Sequence, residues 1–452
     1  MGIASILTYL RSLPDLRART PEVIALLLAA GLLYSVAAYF VERYAMGFAA
    51  LVIILAAALA FRFIVLSVPP TLSADVYRYQ WEGRVQRAGI NPYTTHPDAL
   101  AHLALEEPGH RLDVGRSTPT LYPPLSEWSF SWARTIAGYK RLYTGMDLAS
   151  CVALLLLLRV HRQPLARVLM YAWNPGVVVA FAMCGHHDAL AILTLLTANF
   201  MIIRRQGGLS ILFLALSFLS KFFSALLLPV FLGAVREPSP PTLIRSEAKD
   251  LGRSPSTPNR ITHRSAWGAR CAYGALFLVV VAAGYLPWAS GGGQLLDGLF
   301  QYTSGWENND SLFRLMRLAG NSKGQAGLLA ASFLTALVIF VLKRRLEPLQ
   351  ASLVLIAALL LLSPNAFPWY FTWMTPFLCF HTHPGLLLLS ITCLLGYAPV
   401  VAYAAGGAYQ DSPLILALEY LPVFAWLAWA SLRKTRDSKL ENGSTTSNMP
   451  IT

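Results

Sequence analysis

Charge is what this sequence has least of. Asp, Glu, Lys and Arg make up only 13% of its 452 residues, against roughly 25% in a soluble domain. That excludes an ordinary water-soluble enzyme. Cysteine is sparse as well: Cys151, Cys184, Cys271, Cys379 and Cys393 are scattered without metal or redox spacing. A disulfide framework or zinc module is therefore excluded, and the thiols read as small buried apolar groups. The first twenty residues lack an apolar signal core and a small-residue cleavage site, so no cleaved leader is expected. No internal repeat is visible. The charge that exists is mostly basic, a formal +13, but it sits in short loops between apolar runs. That pattern marks cytoplasmic loops, not a nucleic-acid surface.

What is abundant is hydrophobic length. Apolar residues make up 55% of the chain, with mainly apolar runs near 22–42, 46–69, 145–160, 166–184, 188–204, 269–289, 326–343, 349–363, 368–382, 385–404 and 413–432. Most approach the ~20 residues a helix needs to cross a bilayer, which predicts an all-α polytopic membrane protein with a bundle of about 11–13 transmembrane helices. Five basic segments, around Arg159–Arg167, Arg204–Arg205, 236–270, Lys343–Arg345 and Arg433–Arg436, fall inside by the positive-inside rule. The loops 70–144, 184–188, 290–325 and 363–369 then share the outer side. Residues 209–235 lie between two basic loops, are too short for two spans, and are interrupted at Ser220-Lys221. They predict a re-entrant broken hairpin, which survives at membrane depth only where protein or a wet cavity surrounds it. The same parity puts the N-terminus outside despite Arg11, Arg17 and Arg19, unless one early segment is interfacial.

Residues 1–432 read as one integral membrane unit. Within it, 70–144 is a large outer loop whose piece 126–139 reads as an amphipathic helix lying on the leaflet, with Trp128, Phe130, Trp132, Glu127 and Arg134. The polar stretch 236–268 and the tail 433–452 read as disordered cytoplasmic segments.

Four constellations share the outer side. Immediately after an apolar run, residues 73–93 carry Asp75, Arg78, Glu82, Arg84 and Arg87, interleaved with Tyr77, Tyr79, Trp81 and Tyr93. Helical spacing presents Asp75, Arg78 and Glu82 on one face, and Gly89, Asn91 and Pro92 end the helix. Trp173-Asn174-Pro175 leads to Gly185-His186-His187-Asp188, where the alternatives are a polar site and simple helix capping by Asp188. Lys221 stands inside its apolar run, as a functional cation or a snorkelling side chain. Trp306-Glu307-Asn308-Asn309-Asp310 pairs with Ser363-Pro364-Asn365 and Pro368-Trp369-Tyr370, whose rings fit binding or interfacial anchoring equally well.

The segments DVYRYQWEGRVQRAGINPY, LYPPL, WNPGVV with GHHDAL, LSKFF, GWENNDSLF and SPNAFPWYFTW follow one another between residues 62 and 377. Together they resemble bacterial membrane mannosyltransferases that use polyprenyl-phosphate mannose, within the C-type (GT-C) glycosyltransferases. The resemblance implies that Asp75, in the first outer loop at the end of an early span, is the catalytic base. Relatives often carry a second acid just before it, where this chain has Ala74; Glu82 is the substitute candidate.

Transfer from a lipid phosphate needs a base for the acceptor hydroxyl but no acid for the leaving group, which is already a phosphate, so single displacement with inversion is expected. Lys221, Arg78 and Arg84 are the candidates to stabilise that phosphate. The candidates for sugar and acceptor are Tyr79, Trp81, Glu82, Asn91, Tyr93, Tyr122, His186, His187, Asp188, Trp306, Asn308, Trp369 and Tyr370. The expected partners are membrane lipid, a polyprenyl-phosphate sugar and a glycan or glycolipid acceptor outside the cytoplasm. No cofactor is expected, and no divalent metal is required by the sequence. A transporter or lipid-linked-sugar flippase is the alternative, since broken helices with intramembrane ions serve transport too; the missing repeat and the clustering of polar residues in outer loops weigh against it. A ligase for preformed glycans would use similar parts.

Overall fold

Backbone amides inside a bilayer must bond to one another, and a helix achieves this within one segment. The computed structural model describes residues 2–103, 105, 115–235, 260–404 and 408–444. Its regular elements are helical throughout the described residues, with one isolated bridge between Asn308 and Asn365. Seven helices are long and apolar enough to span: Thr20–Arg43, Phe48–Leu66, Ile136–Val160, Trp267–Gly305, Lys323–Arg344, Pro384–Tyr403 and Pro413–Ala430. Leu165–Ala172 and Pro175–Met183 make an eighth as a pair bent by 61°, the break falling at Asn174-Pro175, where proline removes a backbone donor. Four apolar helices are shorter: Asp188–Ile203, Gly207–Ser220, Phe222–Ala234 and Pro348–Leu362. Sixteen residues, the length of Asp188–Ile203, rise about 24 Å, less than the ~30 Å hydrocarbon core. The expected 11–13 spans thus resolve into seven or eight full-length ones with short helices packed among them.

The hairpin has the predicted form. Gly207–Ser220 ends where Lys221 turns extended (φ −159°, ψ 128°), and Phe222–Ala234 returns. A Cβ on Gly207 would lie 2.9 Å from Val235, so the two ends meet and Lys221 is the tip. At the front, both early helices are long and apolar enough to cross. Helix Gly2–Ser12 folds back along Thr20–Arg43, bringing Gly2 against Leu33. The following turn reaches the Asp75 end, where Arg17 Nε donates to Thr71 O at 3.5 Å. Arg17 therefore belongs with the site, not with the basic loops.

Three boundaries differ from expectation. The interfacial helix at 126–139 is two elements. Pro124–Trp132 stops short, and Thr135 caps the long span Ile136–Val160 by accepting from the Gly138 N–H at 3.0 Å. Glu127 is not a surface charge but fully buried, while Trp128 and Trp132 are exposed. Helix also replaces the end of one polar segment and most of the other: Arg260–Tyr285 takes in 260–268, and Pro413–Ser444 runs through the start of the tail. Once nucleated, a helix propagates cheaply through Arg, Lys, Leu and Glu. Residues 236–259 and 445–452 of those two expected disordered segments lie outside the described residues. Cys271 is the exposed exception among the five thiols.

Deep in the bundle, Arg62 bonds Asp147 in two places, Nε to Oδ2 at 2.5 Å and Nη2 to Oδ1 at 3.0 Å. Its Nη1 also donates to Ala172 O at 2.8 Å. Buried charges persist when paired and fully bonded, and this pair ties two spans to the bent helix behind the site.

Candidate active site

Val65 and Val68 are buried where the second span ends, and Ser73 then accepts from the Asp75 N–H at 3.3 Å, starting helix Asp75–Arg87. Asp75 occupies the first turn, where the helix dipole favours a carboxylate. Its side chain points into a cavity of about 210 Å³ whose lining also includes Arg78, Glu82, Lys221, Tyr302 and Trp369. Burial pushes the Asp75 carboxyl up to about 6, while the nearby Lys221 charge pulls it down and Asp188 pushes it up again. The side chain keeps 35% of its surface open to the cavity, so water entering there screens part of that shift.

A bend supplies the histidines. Gly185 (φ +72°) makes the left-handed turn after Pro175–Met183 that glycine adopts without strain. His186 and His187 follow, both fully buried. His186 Nδ1 stands 3.7 Å from Asp75 Oδ2, and its ring stacks on Trp369 at 4.2 Å. Burial lowers the His186 pKa to about 3 and holds His187 well below its ordinary range, so both are neutral and the Asp75 contact is no ion pair. Tyr79 Oη joins them, 3.0 Å from His187 Nδ1 and 3.4 Å from His186 Nδ1. His186 Nε2 and Asp188 Oδ2 have no hydrogen-bond partner among the described residues, an uncommon condition for buried polar atoms.

Lys221 already has an anionic partner within the protein. Its Nζ lies 3.3 Å from Asp188 Oδ1 and 4.7 Å from the Tyr370 ring centre. Asp188 is fixed in turn by Trp373 Nε1, which donates to it at 2.7 Å. The hairpin tip is anchored by Ser126 Oγ, which donates to Ser220 O at 2.6 Å. A snorkelling lysine would reach toward bulk water; this one is held at the cavity wall by a carboxylate and two aromatic faces. Opposite it, Arg78 Nε donates to Glu82 at 2.7 Å while its other nitrogens bind Gly115 O and Thr118 O. Glu82 is thus committed to Arg78 and is not a free second acid. Ala74 also lines the cavity and brings only a methyl group.

Of the residues singled out in the sequence, Asp75, Arg78, Glu82, Tyr122, Lys221, Trp306, Trp369 and Tyr370 line the cavity. Tyr79, His186, His187 and Asp188 stand directly behind that wall. The rest point elsewhere. Trp81 packs with Val85 in a separate apolar cluster under Arg78. Arg84 Nη1 donates to Leu105 O at 3.1 Å. Tyr93 donates to Tyr122 O and faces Trp288, and Asn91 Nδ2 lies 3.3 Å from both Trp288 O and Ser290 Oγ. Asn308 joins two loops through its backbone, donating to Pro364 O and accepting from the Ala366 N–H at 3.0 Å each.

Several contributors were not found in the sequence, Arg17, Tyr302 and Glu127 among them. Arg17 and Tyr302 line the cavity, Tyr302 Oη lying 3.0 Å from Tyr370 Oη. Glu127 is buried, accepting from Thr120 Oγ1 and Gln86 Nε2; burial first and the Glu82 charge second hold its carboxyl well above the usual range. Only the Arg17 signal was available beforehand, as the basic cluster that fitted no inner loop.

One cavity therefore combines an acid at a helix start, three cations and a wall of aromatic rings. Residues 5–236 match the family model described as alpha-(1->6)-mannopyranosyltransferase, N-terminal domain, and residues 291–434 match that described as MptB C-terminal domain. No curated protein matches the chain. These matches favour mannosyl transfer over the transport alternative, and with them spanning most of the sequence, the chain belongs to the alpha-(1->6)-mannopyranosyltransferase family, membrane mannosyltransferases of the GT-C type.

Proposed function

We propose that the protein transfers mannose from a polyprenyl-phosphate donor to a glycan or glycolipid acceptor on the extracytoplasmic side, by single displacement with inversion. Asp75 takes the proton from the acceptor hydroxyl as it attacks the anomeric carbon. The bond from that carbon to the phosphate oxygen breaks, and the lipid phosphate leaves. Lys221 and Arg78 meet the charge on that phosphate, so this reading needs no metal. His186, neutral and behind the cavity wall, supports Trp369 by stacking and stands 3.7 Å from the Asp75 carboxylate, so it positions these two groups. The ring faces of Trp306, Trp369 and Tyr370 suit sugar C–H surfaces. The observation that carries the reading is the shared cavity of Asp75 and Lys221, with Lys221 supported from behind by Asp188.

Asp75→Asn tests it, since the amide keeps the shape and loses the basicity. Transfer from radiolabelled polyprenyl-phosphate mannose in membranes should fall at least ~100-fold, the usual contribution of a general base, with expression and thermal unfolding unchanged. Near-normal turnover would remove Asp75 from the mechanism.

A further inference from the structure

A second cavity, about 1110 Å³, lies at the other end of the hairpin. Lys221 at the tip faces the candidate active site, whereas Gly207, where the hairpin begins, and Val235, where it ends, line this second space. One wall is apolar, with Ile203, Val230, Leu342 and Leu349. Around it stand Arg205, Arg270 and Arg345, from three separate segments, against one carboxylate, Glu347.

Some arginines elsewhere in the protein are held by carboxylates, though others are not. Arg62, Arg78, Arg116 and Arg167 each bind a carboxylate within 2.8 Å. No described residue pairs with Arg205, Arg270 or Arg345. Arg205 and Arg345 also hold left-handed backbone, with φ of 58° and 51°, just past the ends of their helices. Glycine is the cheap occupant of that position, although Arg162 also adopts it outside the cavity lining. On the cavity wall, the buried Asn199 donates through Nδ2 to Leu195 O at 2.9 Å, while its Oδ1 has no partner among the described residues.

We infer that this cavity binds the headgroup of an anionic membrane lipid. The three guanidinium groups meet its phosphate, Asn199 Oδ1 accepts from a headgroup hydroxyl, and the acyl chains lie along the apolar wall. Basic pockets between membrane helices recognise lipid phosphates in this way, and guanidinium suits phosphate better than ammonium does. The site is separate from the donor phosphate position proposed above and does not depend on it.

Native mass spectrometry of the full-length protein in detergent tests the inference, with titration by phosphatidylglycerol, phosphatidylcholine or inorganic phosphate. Phosphatidylglycerol should be retained in preference to phosphatidylcholine, and excess inorganic phosphate should not displace it. R205Q/R270Q/R345Q should weaken retention on the order of 100-fold, and R345Q alone about fivefold, from the contribution of each cation near a lipid phosphate. Should the triple variant fold poorly, R345Q and N199L, checked by thermal unfolding, carry the test. Equal retention of both lipids, or unchanged retention in R345Q and N199L, would overturn the site. Complete displacement by inorganic phosphate would overturn the lipid assignment.

Discussion

Asp75 is pulled two ways: burial disfavours its charge and Lys221 favours it, with the carboxyl settling near 6. Only the carboxylate can accept a proton, so the base form is present above that value and lost as pH falls through it. Donor turnover should therefore drop below about pH 6 and level off above it. In Lys221→Met the stabilising cation is gone, and the falling limb should move to higher pH. An unchanged profile in that variant would separate the two residues electrostatically. Lys221→Met should also raise KM for the donor more than it lowers expression, whereas Lys221→Arg should retain part of the activity because phosphate accepts either cation with altered geometry. Normal donor KM in the Met variant would place the phosphate elsewhere, with Arg78 the remaining cavity cation from the original candidates.

At the scale of elements, the site depends on how closely helix Asp75–Arg87 lies on helix Pro124–Trp132. Gly83 is the point of contact. A Cβ there would lie 2.1 Å from Phe130 O and 2.7 Å from Tyr139 Oη. Backbone cannot yield as a flexible side chain does, so the helices must separate. Gly83→Ala should cost about 1–3 kcal/mol as an overpacking change and slow transfer by displacing Asp75. Gly145→Ala is the control, since no neighbour lies within 4 Å of its added carbon, and its higher helix propensity should leave stability equal or slightly raised. The prediction fails if the two variants unfold at the same temperature.

For the whole molecule, the decisive property is which end faces out. Asp75, Lys221, Tyr302 and Trp369 share one cavity, while Arg205, Arg270 and Arg345 line the other. By the positive-inside rule the arginine end is expected in the cytoplasm. In a chain with its five native cysteines replaced by alanine, single cysteines at the exposed Ala88 and Ser304 should react with an impermeant thiol reagent in intact cells. One at the exposed Gln206 should react only after the membrane is opened. The opposite labelling would reverse the orientation.

Long apolar runs and scarce charge were enough to fix the all-helical membrane class, because a bilayer admits few ways to satisfy a backbone. Charge parity was enough to make 209–235 a hairpin and to put Lys221 at its tip. Asp75 stood out by its place directly after a span. Side-chain direction was not legible. Trp81 and Tyr93 share a segment with Asp75, yet one packs against Val85 and the other against Trp288, because the face a helix buries is chosen by distant partners. Glu127 read as a surface charge and is buried, since Thr120, Gln86 and Glu82 close over it from other segments. Arg17 reached the cavity only because the N-terminal helix folds back on the first span. Local periodicity dictates which residues become helix; contacts between residues far apart in the chain dictate which of them meet, and here only the tertiary structure holds that information.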